Sequence, residues 1–454
     1  MAGGRRLPEQ PRGNSLHSVF VQKTLEFTAF FVRSLCAVYF WEETMKKLIL
    51  ASAAMLAFGA TAHAQRTLVI ASNNSDGAPL AATETMVAAF EAAYPDISIE
   101  LNTINHQDYQ DSWIRPALSA DTGPDVAFWF AGNRMAGFVE NGLFVDISDV
   151  WDAGDLHDVM ASTKPSITFD GAQYGLPLSF YQWGVYYRPD VYEAAGVAVP
   201  STYGELLAAC ENMAADGKSL FTIGTRYKWT AGGWFDYVNM RTNGLQYHVD
   251  LMLGKIPYTD AGVTETFSNF GAAVNAGCFN EGHQNLSWQE GQAPLINGDA
   301  GSYLIGNFMV PNVPVETKDA LDFYQFPAIA GKDFALGEDA PTDLMFIPSN
   351  AQNVDDAKTF LTWASGKDNL DAVNATLQQL SPRADATMSD DRFLRSGAAM
   401  LASSQTAQFF DRDNDPAHAQ PAMALLVEFM LDPSAQEEIQ EELEELREEV
   451  FGAL

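Results

Sequence analysis

Basic residues are scarce in this sequence: 26 Lys and Arg stand against 59 Asp and Glu, a formal net charge of −33. Such a chain repels phosphate backbones and anionic lipid surfaces, so nucleic-acid binding and direct membrane insertion are not expected. Cysteine is nearly absent, with three residues. No HExxH, CxxC or Walker A sequence occurs, and the five histidines after residue 64 are scattered. Zinc spacing, a redox pair and a phosphate-cradling loop are therefore missing. No metal and no cofactor is expected. The sequence also lacks a fixed-period repeat and a long Gly/Ser linker, so its parts are joined by short crossings rather than strung as beads.

What is present begins with size. The 454 residues are 47% hydrophobic, enough for two domains or one two-lobed unit. Met45-Lys46-Lys47 is followed by an apolar run from Leu48 to Phe58 and then Ala62-His63-Ala64. Basic start, short apolar middle and A-x-A end read as a secretory signal peptide over 45–64, too short for a comfortable membrane span. Residues 1–44 then read as an upstream extension from a misassigned start. No Cys follows the apolar run, so no lipid attachment is expected. The expected location is the periplasm of a Gram-negative bacterium, and N-terminal sequencing should find Gln65. Beyond that point Cys210 and Cys278 remain, either as a disulfide or as two separate buried thiols.

Thr67 to Ala71 is an apolar run typical of a buried strand, and Ser72 to Gly77 is a polar turn. Leu80, Met86, Val87, Phe90 and Tyr94 recur at helical spacing before Pro95. Ile97, Ile99 and Leu101 alternate, residues 109–118 look helical, and Pro124 to Phe128 reads as a third strand. This alternation predicts an α/β lobe with a largely parallel sheet, and site loops after its strands. Helices are also expected over 200–214, 262–276, 357–364 and 435–449, and strands over 323–329 and 344–347. Asp411-Arg412-Asp413-Asn414-Asp415 has alternating acids, but Pro416 and Ala422 stand where a calcium loop needs Gly and Glu, so it reads as a solvated loop.

Several segments share an order with one family. They are Val87 to Ile97 with its Tyr94-Pro95, Thr122-Gly123-Pro124-Asp125-Val126, and Asn141-Gly142-Leu143-Phe144-Val145-Asp146. Then come Gln173-Tyr174-Gly175-Leu176-Pro177 leading to Val185-Tyr186-Tyr187-Arg188, and Val199-Pro200-Ser201-Thr202-Tyr203. Asn297 to Tyr303 and Ala357 to Ser365 follow. In these the chain resembles the extracellular solute-binding proteins of carbohydrate ABC importers, the group that includes maltose-binding protein. Arg188 stands where the family usually has Asn, and Tyr203 where it has Trp. The resemblance implies a two-lobed periplasmic-binding-protein fold with a ligand cleft between lobes and a three-segment hinge. One lobe is expected from 65–179 plus 328–380, the other from 180–327 plus 381–454, with crossings near 177–182, 324–329 and 379–384. It implies no catalysis, a small-molecule carbohydrate ligand, a membrane permease as partner and a monomeric state.

A pyranose offers apolar C–H faces and a rim of hydroxyls. Flat aromatic rings and planar polar side chains suit it. The expected ligand-binding residues are Asn74 and Asp76 in the first turn, Trp183 at the first crossing, and Trp229, Trp234 and Asp236 in a Trp-rich segment. Asn307, Asp343 and Arg383 complete the set. Each has an ordinary alternative: turn chemistry for Asn74 and Asp76, core packing for the tryptophans, structural ion pairs for Asp343 and Arg383. Trp129 suits core or cleft. In Trp229 to Tyr237, Gly232 and Gly233 are expected to let backbone approach a ligand. Two other functions stay open, a secreted glycoside hydrolase using paired carboxylates such as Asp236 and Asp343, and a sensor or chemoreceptor partner. A polyol or amino sugar is the alternative ligand.

Overall fold

The computed structural model describes residues 66–454; the expected signal peptide and the stretch before it lie outside the described residues. The chain opens with β1 (Arg66–Ser72), α1 (Gly77–Ala93), β2 (Ile97–Thr103) and β3 (Val126–Phe130). Helix α1 buries Ala82, Met86 and Phe90, a four-residue spacing that lays one stripe on the sheet, and it stops before Pro95 as that residue's ring demands. All five residues of β3 are buried, as a strand covered on both faces must be. Next come α2 (Asn133–Glu140), β4 (Leu176–Phe180), β5 (Trp183–Tyr187), α3 (Tyr203–Ala215), β6 (Ser219–Phe221) and α4 (Trp229–Asn243). Helix α3 starts on a reciprocal capping box between Thr202 and Glu205.

The second half contains α5 (Ala261–Asn275), β7 (Ala300–Gly306), β8 (Asp322–Tyr324), β9 (Gly337–Asp339) and β10 (Thr342–Phe346). It continues with α6 (Val354–Ala364), α7 (Lys367–Leu377), β11 (Gln405–Ala407), α8 (Phe410–Asp413), α9 (Pro416–Leu431) and α10 (Gln436–Phe451). The first sheet has the order β2-β1-β3-β10-β4 and the second β8-β5-β7-β6. In the first sheet β1, β2 and β3 pair in parallel, while β10 is the one reversed strand, antiparallel to both β3 and β4. The expected α/β class holds, but each sheet is mixed because late strands return to complete it.

The sheets feed two separate hydrophobic cores. One gathers residues from Leu68 to Leu178 and again from Leu344 to Leu377. The other gathers Tyr181 to Phe326 and Phe393 to Leu443. The chain passes between them at Tyr181 and Gln182, between β4 and β5. The later passages differ from expectation. Strand β9 pairs with β11 and packs on α4, so the second passage comes at Ala340–Pro341 rather than 324–329. Arg383 bonds to the Ser365 carbonyl and Thr387 to Asp371, which keeps this stretch on the first core's side. Cys210 and Cys278 are joined in a disulfide that ties α3 to the segment after α5. Among the described residues no helix is long and apolar enough to cross a membrane.

Candidate functional site

A cavity of about 790 Å³ is lined by residues from both cores, within the size range of small-molecule sites. The first core's elements supply mainly polar groups. Asn73, Asn74 and Asp76 come from the turn after β1, His106 and Gln110 from the segment after β2, and Arg134 from the first turn of α2. These loops sit beyond the carboxyl ends of parallel strands, where open α/β sheets place their ligands. The second core supplies aromatic surface through Trp183, Trp229, Trp288, Phe308 and Phe409. Their rings pack edge to face: Trp183 and Trp229 lie 5.9 Å apart at 82°, and Trp288 and Phe308 5.0 Å apart at 82°.

Trp229 owes its place to a strained turn. Lys228 has a φ of 69°, and the Trp229 amide donates to the Tyr227 carbonyl at 2.8 Å. This is the rare positive-φ γ-turn, a conformation that L side chains resist. It starts α4 abruptly, leaving Tyr227 exposed at the rim and Trp229 half-buried in the wall.

The arginines of the cavity are all paired with cavity carboxylates. Arg134 donates to Asp411 at 2.5 Å and to the Gln110 side chain at 2.8 Å. Arg412 donates to Asp343 at 2.9 Å, to the Tyr181 hydroxyl at 2.9 Å and to the Thr342 carbonyl at 3.0 Å. Arg226 pairs with Glu290 at 2.8 Å on the more open side. Three lining residues carry a buried polar atom with no hydrogen-bond partner among the described residues: Ser179 Oγ, Trp183 Nε1 and Gln379 Oε1. Buried polar atoms are usually satisfied, so orphans at a cavity are open to polar groups of a ligand.

Of the expected residues, the structure brings Asn74, Asp76, Trp183, Trp229 and Asp343 to this cavity, and Trp129 serves both core and lining. Four others lie elsewhere. Trp234 is fully buried, enclosed by Phe221, Phe279 and Phe326, because five residues along a helix turn it away from Trp229. Asp236 is buried beneath the Phe410 amide, which donates to it at 2.7 Å, and lies outside the lining. Burial, then the neighbouring Asp339, push its carboxyl well above the usual range. Asn307 is buried between the Tyr186 hydroxyl and the Gln378 carbonyl. Arg383 forms a two-pronged pair with Asp385. Gly232 and Gly233 also serve packing: a Cβ on Gly233 would stand 2.7 Å from the Trp183 ring, so the glycine admits that ring and not a ligand.

The segment read as a solvated loop is another correction. Asp411, Arg412 and Asn414 are buried, and α8 packs on both α2 and α4. Arg134, Tyr181, Trp288, Phe308, Gln379, Phe409, Asp411 and Arg412 line the cavity without having been singled out as ligand contacts. For Arg412 a signal existed, since a lone arginine among acids is as well suited to pairing as to solvent. Among the described residues no group of three or more His, Cys, Asp or Glu could hold a metal ion.

Residues 74–370 match the family model described as bacterial extracellular solute-binding protein. An uncharacterised ABC transporter extracellular-binding protein of Pyrococcus horikoshii is 23% identical over 332 residues, 72% of this chain and 74% of the relative. The alpha-glucosides-binding periplasmic protein AglE of Rhizobium meliloti is 28% identical over 196 residues, 40% of this chain and 43% of its own. Among solved structures, the bacterial solute receptor AcbH, described as exclusively preferring β-D-galactopyranose, superposes with a TM-score of 0.79. It is 28% identical, with 85% of this chain and 100% of that one covered. Maltose-bound MalE3 of T. maritima, at 15% identity, shares the fold with a TM-score of 0.70 over 85% of this chain and 99% of its own.

Proposed function

The chain belongs to the bacterial extracellular solute-binding proteins, and from that premise we propose that it captures an uncharged sugar in its cavity and delivers it to the membrane permease of an ABC importer. The observation that carries the reading is the composition of the cavity. Aromatic rings suited to C–H faces share it with unpartnered neutral hydrogen-bonding groups, while its arginines are neutralised by their own carboxylates. A strong anion finds no free cation there, and a hydroxyl-rich neutral ring finds both stacking and bonding partners.

The two cores act as lobes, with the chain passages at Tyr181–Gln182, at Ala340–Pro341 and between Thr387 and Phe393 as the hinge. Ligand touching both lobes favours the closed arrangement over the open one, where it touches one, and the permease reads the closed form. Asn74, Asp76, Trp183, Trp229 and Asp343, with Ser179 and Gln379, are the proposed contacts. Export to the periplasm and action without catalysis go with this reading. The volume admits a monosaccharide or a short oligosaccharide, and the galactose preference described for AcbH makes galactosides the first ligands to try.

A thermal-shift screen of neutral mono- and oligosaccharides, polyols and amino sugars tests it. At a hundred times its dissociation constant a true ligand adds about 2.7 kcal/mol of stability. The expected result is a shift with one or a few sugars and no reducing ends released on incubation. Turnover of oligosaccharides would favour a hydrolase, and no shift with any sugar would contradict the reading.

A further inference from the structure

We propose that Asp343 and Asp411 are specificity-determining residues that restrict the cavity to uncharged ligands by occupying its two most buried arginines. The inference rests on the sugar-binding reading and names the charge class that this site rejects.

The two ion pairs run in series through adjacent residues of α8. Arg134 at the start of α2 reaches Asp411 of α8, and Arg412 of α8 reaches Asp343 of β10. Each guanidinium also lies over the same ring, 4.8 Å for Arg134 and 4.3 Å for Arg412 from the Phe130 centroid. Two like charges on one aromatic ring repel, and the carboxylates offset that repulsion. The side chains of Arg134, Asp411 and Arg412 are 10%, 9% and 8% exposed, and that of Asp343 is 30% exposed.

The guanidinium positions do not depend on the carboxylates alone. Arg134 is held by Gln110 and by stacking on Phe130 and Trp129. Arg412 is held by the Thr342 carbonyl, the Tyr181 hydroxyl and Phe130. Taking away either carboxylate therefore leaves an oriented planar cation, facing a cavity sized for a sugar. The guanidinium fork matches a carboxylate with two parallel hydrogen bonds. A sugar acid, the same ring with a carboxylate at C6, is the ligand such a site would take. With Asp343 and Asp411 in place, that carboxylate instead meets two others of its own sign and is refused.

Isothermal titration of the intact protein and its variants tests this with matched pairs. These are galactose against galacturonate, glucose against glucuronate, and the α-1,4-linked dimer of galactose against that of galacturonate. The native protein should prefer a neutral member over its acid by at least tenfold. Asp411→Asn and Asp343→Asn should each raise affinity for the matching acid at least tenfold and lose or reverse the preference. Arg134→Gln combined with Asp411→Asn should show no gain for the acid, since no free cation remains. If Asp411→Asn does not fold, Asp343→Asn, the more exposed position, carries the test. Acid affinity unchanged in the folded variants overturns the charge assignment alone. Equal binding of acid and neutral sugar by the native protein overturns it too. Binding of no member of any pair by the native protein overturns this assignment, and only the further absence of a shift across the whole sugar screen overturns the sugar reading.

Discussion

The first turn of α4 and its middle carry the same side chain in two different settings. Trp229 stands half-buried in the cavity wall, next to Trp183 and Trp288. Trp234 has no exposure and sits in a cage of phenylalanines. Charge follows the same division. In the cavity Arg134, Arg226 and Arg412 each meet a carboxylate. Under the middle of the helix, Asp236 and Asp339 are buried with carboxylate oxygens unpartnered, and burial raises both pKa values well above normal. Buried charge survives by pairing in one region and by protonation in the other. Only the first region keeps oriented dipoles and rings beside open space, and that is what a reversible ligand site requires.

The comparison can be broken most forcefully at Trp234. Trp234→Ala should cost about 3–5 kcal/mol in chemical denaturation, because a large ring leaves a cavity its neighbours cannot fill. Sugar affinity of the protein that remains folded should change little. Opening the Cys210–Cys278 bond by Cys278→Ser should cost about 2–4 kcal/mol, measured by melting with the native protein alongside. Trp229→Ala should show the opposite pattern from Trp234→Ala: a loss of sugar affinity of at least tenfold, about 1.4 kcal/mol, with stability moved by less than that. Equal losses of stability in both tryptophan variants would erase the distinction.

Asp413 sharpens the charge side of the contrast. Burial, opposed by the Gln408 amide that donates to it at 2.8 Å, lifts its pKa from 3.8 to about 6. In the unfolded chain the group ionises first, so its contribution to stability is present below about pH 4 and lost as pH rises through about 6. Asp413→Asn should flatten that slope, removing on the order of 1–2 kcal/mol of the difference between pH 4 and pH 7. His248 opposes it: burial lowers its pKa to about 3, so its neutral form supports the fold above about pH 6.5 and that support fades on acidification. The smallest effect is expected at Lys228→Gly, which fits the positive φ and should move stability by roughly 0.5 kcal/mol with sugar affinity unchanged.

Much of the architecture was legible because periodicity is local. The stripe of Met86 and Phe90 and the alternation of Ile97 and Ile99 appear as read. The cavity lining was legible where a turn or an aromatic follows a strand, as with Asn74 and Trp183. It failed where the side-chain direction depended on an unrecognised helix. Trp229 to Asp236 was treated as one Trp-rich stretch, yet helical geometry sends Trp229, Trp234 and Asp236 to different surroundings. Asp411 and Arg412 were missed for a different reason. Their partners, Arg134 and Asp343, lie far away in sequence, and a pattern of acids shows no sign of a distant counter-charge.

The most direct test of the central claim is the crystal structure of the complex with whichever neutral sugar gives the largest thermal shift. The sugar should lie in the cavity between the two cores, one ring face against Trp229 and its hydroxyls bonded to Ser179 or Gln379, with both buried arginine pairs intact. A sugar bound elsewhere, or a cavity filled by an anion with Arg134 and Arg412 drawn away from their carboxylates, would contradict the account.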